Sequence, residues 1–177
     1  MPEHTGDSHA LCLECGLCCN GIIFADVKLQ PEDKSEILKT LGITLAGTRK
    51  SKPQTLKLTQ PCPAFANGLC EIYCERPTYC RNFECLLLKE VKSGRTNAAT
   101  ARRTVHDTLR QVEAIKRLLR ELGDANENLA LNKRFRRMKS RMEKSPLNAE
   151  TANLFGELTL GMHELNVRLS QSFYPGD

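Results

Sequence analysis

Beyond residue 97 the apolar positions recur at helical intervals. Val105, Leu109, Val112, Ile115, Leu119 and Leu122 stand three or four residues apart with Arg and Glu between them, and Gly123 follows where a left-handed cap belongs. The pattern predicts an amphipathic helix over residues 97–122. Asp124-Ala125-Asn126-Glu127 then has the form of a capping box, with Asp as the cap. It would open a second helix whose stripe is Leu131, Phe135, Met138 and Met142. Ser145-Pro146 stops that helix and can start a third, with Leu147, Leu154, Leu158, Met162, Leu165 and Leu169 aligned until Pro175. Three amphipathic helices with short links predict a bundle or hairpin.

The first ninety residues are patterned differently. Residues 22–29 are β-branched and then alternate, which suggests a short strand. Pro31 sits where a first helical residue would, with Glu32 and Asp33 at the favourable end of the dipole. Ile37, Leu38 and Leu41 form one face ending at Gly42, so a helix of about three turns is expected. Residues 44–55, with the basic cluster Arg49-Lys50-Ser51-Lys52, read as a loop, and Leu56 and Leu58 read as a brief edge strand. Residues 61–85 hold Pro, Gly and Asn and argue for turns, with one helical turn around Glu71–Glu75. This half is poor material for a large core, since the chain has no Trp and only 5% aromatic residues. The expected fold class is α+β. A small irregular, cysteine-rich, metal-stabilised domain over 1–90 is followed by a helical region over 97–174, with a boundary near Val91-Lys92-Ser93-Gly94-Arg95.

The formal charge of +5 is unevenly spread over the 177 residues. Residues 1–90 carry ten Lys or Arg against eleven Asp or Glu; residues 91–177 carry sixteen against ten. The dense basic patch Lys133–Arg141 has its Phe and Met on the helical stripe and its charges on the other faces. That favours a solvated face over a nucleic-acid surface and leaves a protein partner for the helical region as the expectation. The N-terminus lacks the basic start and apolar stretch of a secretory signal, and no window holds eighteen consecutive apolar residues. A cytoplasmic, membrane-free protein is expected.

Cysteine changes this picture most. All nine lie in two runs, Cys12 to Cys19 and Cys62 to Cys85. In a reducing compartment such density reads as metal binding or redox chemistry, and the odd count disfavours a disulfide framework. Cys12, Cys15 and Cys18 are spaced by two residues, as zinc knuckles space a ligand pair and bacterial ferredoxins space cluster ligands. Side chains of the adjacent Cys18 and Cys19 diverge, so one of them is expected to serve a second site or to reach the same centre through an unusual turn. With Cys62, Cys70, Cys80 and Cys85 the set numbers eight, which suits two four-thiolate sites; Cys74 is then surplus. A single cluster with structural spectators is the other count. Arg76 and Arg81 bracket Cys80 and are placed to stabilise thiolates. His4 and His9 precede Cys12 on a terminus expected to be mobile, and His106 and His163 read as surface residues. No dinucleotide fingerprint, P-loop or zincin motif is present.

At these residues the sequence resembles the zinc- or iron-chelating cysteine-cluster proteins of bacteria and archaea, the YkgJ-type family. The early C-x2-CG-x-CC matches Cys12, Cys15, Gly16, Cys18 and Cys19. The later motif matches Gly68, Cys70, Ile72, Tyr73, Arg76, Pro77, Cys80, Phe83 and Cys85, with Cys62-Pro63 as the earlier C-P. A strand and a helix opening at an acidic residue, here Asp33, separate the two. The resemblance implies metal chelation and a relationship to flagellin lysine N-methylases that carry the same cluster pattern, and it gives Cys74 no ligand role.

The expected function is therefore a metal-binding protein chelating iron, as an iron–sulfur cluster, or Zn2+ through Cys12, Cys15, Cys18, Cys19, Cys62, Cys70, Cys80 and Cys85. The triple two-residue spacing leans toward iron. The alternative is a cluster-containing enzyme, protein lysine methyltransferase-like or redox.

Overall fold

A computed structural model describes residues 4–47 and 55–174, with side chains from residue 10 onward. The cluster Arg49-Lys50-Ser51-Lys52 and the side chains of His4 and His9 lie outside the described residues.

The three C-terminal helices form where apolar periodicity predicts them. Helix α5 (Ala98–Glu121) is opened by Asn97, whose Oδ1 accepts the Thr100 amide at 2.8 Å. It closes at Gly123, φ +80°, where the Gly123 and Asp124 amides donate to the Arg120 and Leu119 carbonyls. Helix α6 (Leu131–Met142) follows, and α7 (Ala149–Ser172) is capped by Asn148, which accepts the Thr151 amide at 2.8 Å. Val105, Val112, Ile115 and Leu119 of α5 are buried with Leu158, Met162, Leu165 and Leu169 of α7.

Two expectations fail at the links. Asp124 caps nothing: its carboxylate takes the Arg134 Nε at 2.6 Å, and α6 starts only at Leu131. Arg134, three residues from Leu131 and four from Met138, lies on their face and is 2% exposed, so the basic patch is not wholly a solvated face. The third helix begins at Ala149, leaving Leu147 exposed outside it.

The apolar cluster between these helices also takes in Leu11 and Leu17, Ile22 and Ile23, and Leu87 and Leu88 of α4 (Leu86–Lys92). Leu11 belongs to an N-terminal helix, α1 (His4–Cys15), where no element was expected. Because Ile22 and Ile23 turn into this cluster, the strand expected over 22–29 shrinks to β1 (Asp26–Lys28).

A three-stranded antiparallel sheet, order β1-β3-β2, packs over a second, smaller cluster of Val27, Leu29, Leu38, Ile43, Leu58, Cys62, Ala64 and Ile72. The strand β3 (Leu56–Thr59) is central rather than at an edge. Leu58 pairs with both Val27 of β1 and Leu45 of β2 (Leu45–Gly47), which forms inside the expected loop. The helix expected from Pro31 is shorter, α2 (Ser35–Thr40), and only Leu38 of its apolar face is buried. The fold is α+β, about 55% helix and 9% strand, with small sheets and a C-terminal helical region. Among the described residues no helix is long and apolar enough to cross a membrane.

Candidate metal centre

Separate short pieces of chain carry the cysteines, and long-range contacts fix several of them. Cys12 and Cys15 lie three residues apart in the last turn of α1, hence on one face. Gly16 then reverses the chain at φ +60°, and the Cys19 and Asn20 amides both return to its carbonyl at 2.9 Å. A side chain is excluded at Gly16, since an added Cβ would lie 2.3 Å from the Phe65 ring. The second run is stitched to the first by the Cys62 amide, which donates to the Cys19 carbonyl at 2.7 Å.

Asn67 and Gly68, both at positive φ, turn the hairpin of β4 (Phe65–Ala66) and β5 (Leu69–Cys70), and so deliver Cys70. Tyr73–Glu75 forms a 3-10 turn where a helical turn was expected. Cys80 lies in α3 (Thr78–Asn82), and this helix is anchored from afar: Asp33 Oδ1 accepts the Thr78 amide at 2.7 Å and its hydroxyl at 2.8 Å, while Oδ2 accepts the Gln30 amide at 2.8 Å. Burial pushes the Asp33 carboxyl up, but these donors and the Arg81 guanidinium outweigh it and hold the group below its ordinary value. Cys85 is the N-cap residue of α4, so that its thiol sits beside the first amides of that helix, and the Leu88 and Leu87 amides oppose the rise of its pKa.

The thiols feel one another in two sets. Burial pushes Cys15 up to about 12, and the neighbouring Cys85 and Cys12 add to it against the opposing Leu17 amide. Burial likewise raises Cys18 well above its ordinary value, followed by Cys15, Cys85 and Cys12. Cys85 is raised by burial and by Cys12. In the other set, burial and then Cys62, Cys80 and Cys70 push Cys19 up to about 12, and burial with Cys62 and Cys70 does the same to Cys80. Cys62 is raised by burial and by Cys70. Crowded, desolvated thiols hold their protons unless a cation compensates the thiolates.

Packing divides them the same way. Cys15, Cys18 and Cys85 border the helical cluster; Cys62 is part of the sheet cluster, and Cys19, Cys70 and Cys80 border it. A cavity of about 50 Å3 is lined by Cys12, Cys15, Cys18, Cys19 and Cys85. A second, of about 390 Å3, is lined by Cys12, Cys18, Cys19, Cys62, Cys70 and Cys80, so that Cys12, Cys18 and Cys19 border both. Among the described residues no three Cys, His, Asp or Glu side chains are placed closely enough to hold a metal ion between them. The donors fit a soft metal in kind, and they border common cavities. Cys74 is exposed and lines neither cavity.

Of the two arginines beside Cys80, Arg76 meets the expectation: its charge opposes the upward shift of both Cys12 and Cys80. Its Nε donates to the Tyr73 carbonyl at 3.0 Å and its guanidinium lies 3.6 Å over the Tyr73 ring. Arg81 turns instead to Thr78 Oγ1 at 3.2 Å and to Asp33. Asp33 and the packed rings of Phe24, Tyr79 and Phe83 went unrecognised as site-builders. Phe83 had left a trace in its place in the cysteine motif, and Asp33 only as the acidic residue expected to open a helix. His106 and His163 are exposed, as expected.

With both runs gathered on one face, the match of residues 11–106 to the CxxCxxCC model, described as a "putative zinc- or iron-chelating domain", covers more than half of the chain. The chain belongs to the CxxCxxCC family. No curated protein and no solved structure matches it. The CxxCxxCC match reaches past the cysteines into α5, whose Ala101 and Val105 pack in the cluster that Cys15, Cys18 and Cys85 border.

Proposed function

We propose that this CxxCxxCC protein chelates iron, as an iron–sulfur cluster, or zinc through Cys12, Cys15, Cys18, Cys19, Cys62, Cys70, Cys80 and Cys85, in a reducing cytoplasm. The observation that carries the reading is that these eight thiols, drawn from separate pieces of chain, line two adjoining cavities while Cys74 lines neither. A bound metal would supply thiolate bonds between those pieces and, as an iron–sulfur cluster, an electron to give or take. The chain's own part is to gather donors and balance charge. Asp33 fixes the segment bearing Cys80, Phe65 fills the space above Gly16, and Arg76 offsets thiolate charge toward both sets.

Metal analysis of anaerobically purified protein tests this. Bound iron with visible absorption supports the cluster, colourless protein with bound zinc supports zinc, and absence of both refutes chelation. A Cys74→Ser variant is expected to keep all its metal; loss would show the ninth thiol to be a ligand.

The 390 Å3 cavity favours a second reading, an enzyme of the lysine methyltransferase-like or redox kind, because it offers room for a substrate beside the thiols. Saturable binding of adenosylmethionine by the metal-loaded protein would support its methyltransferase form.

A further inference from the structure

Resting on the chelation reading, we infer that the eight thiols form two separate four-thiolate centres of unequal reach. The inner centre is Cys12, Cys15, Cys18 and Cys85; the outer is Cys19, Cys62, Cys70 and Cys80, and it gives up its metal to small molecules the more readily.

The division starts at the adjacent pair. Cys18 borders the helical cluster and Cys19 the sheet cluster, so the two neighbouring side chains serve opposite sides of the turn. Cys15 and Cys85 line the smaller cavity alone and Cys62, Cys70 and Cys80 the larger alone, while Cys12, Cys18 and Cys19 border both. Cys12 goes with Cys15, with which it shares a face of α1.

Unequal reach follows from space and from packing. The inner cavity is about 50 Å3 and is walled by Leu11, Leu17, Leu87, Val105 and Phe173, with Cys12 as its exposed member. Those walls belong to the cluster that holds α5 and α7 together, so opening them means opening the main core. The outer cavity is about 390 Å3, far beyond the room a single ion needs, and its lining includes Phe24, Tyr79, Phe83 and Arg76. Its thiols hang on the smaller cluster and on two-residue strands, the kind of region that opens locally at low cost. The inner centre is thus structural and the outer one exchangeable, open to a chelator or to a ligand with a flat apolar body.

The test uses the metal-loaded, full-length protein with excess EDTA as the probe, following release together with metal content of Cys80→Ser and Cys85→Ser. Expected from wild type are two phases, half of the metal leaving at least tenfold faster than the rest. Cys80→Ser should hold half of the metal and lack the fast phase; Cys85→Ser should hold half and keep it. Single-phase release from wild type overturns the inference, as does loss of all metal from either variant with its helical circular dichroism intact. If Cys85→Ser fails to fold, Cys70→Ser stands beside Cys80→Ser, and a fast phase surviving in either variant overturns it equally. Wild type that never binds metal fails the chelation reading itself, a result distinct from metal bound in one undivided site.

Discussion

Asp33 sits forty-five residues from the segment it holds, and its replacement measures how far the metal centre depends on that hold. In Asp33→Ala the Thr78 amide and hydroxyl and the Gln30 amide lose acceptors at 2.7, 2.8 and 2.8 Å. Hydrogen bonds to a charged group contribute about 1.5–3 kcal/mol each when buried. Asp33 is only partly buried and the freed amides can rehydrate. The nearer comparison is the loss of a helix N-cap, about 0.5–2 kcal/mol, since Thr78 is the first residue of α3.

We expect ~1.5 kcal/mol, or a melting temperature lower by about 3–6 °C for a chain of this size. Asp33→Asn, which keeps an acceptor, should lose less. The carboxyl is held below its ordinary value, so its contribution is complete above that value and lost only as pH falls through the lowered folded one. The gap between wild type and variant should therefore stay constant from about pH 6 to pH 8. Thermal melts of metal-loaded protein, with EDTA release alongside, form the assay, and Asp33→Ala should shed metal from the Cys80 side faster. An unchanged melting temperature with unchanged release would refute the anchoring role.

Four other outcomes are expected. Gly16→Ala must place a methyl in the Phe65 ring at positive φ and should cost about 1–3 kcal/mol in chemical denaturation; a loss below about 0.5 kcal/mol would contradict the packing. Asp124→Ala leaves the 2%-exposed Arg134 without its 2.6 Å partner and should cost about 3–5 kcal/mol, much of it recovered when Arg134 is also replaced by Met. Stripping metal should collapse NMR dispersion for residues of the cysteine runs while α5–α7 partly persist. Because burial and mutual repulsion raise the thiols, metal must displace their protons, so a chelator competition should find binding tighter at pH 8 than at pH 6.5 by about tenfold or more.

The sequence by itself determined the elements whose signals are local. Helix α5 was legible because its apolar period, the Asn97 cap and the terminating Gly123 agree within one stretch of chain. The stripe of α7 and the turns after Cys62 were legible for the same reason. The candidate ligands were readable too, since spacing within each run is a property of adjacent residues.

Only the tertiary structure decided which residues act across distance. Asp124 and Asp33 both carry the local form of a helix start, yet each is drawn away by a partner, Arg134 in one case and Thr78 in the other. Ile22 and Ile23 read as strand and join a helical core because that core offers more burial than a short ribbon. Leu58 became central when β2 formed on its free side. The sorting of thiols is of the same kind. Spacing announces that cysteines gather, but which of them line which cavity depends on where α1, the hairpin, α3 and α4 come to rest, and packing between elements sets that.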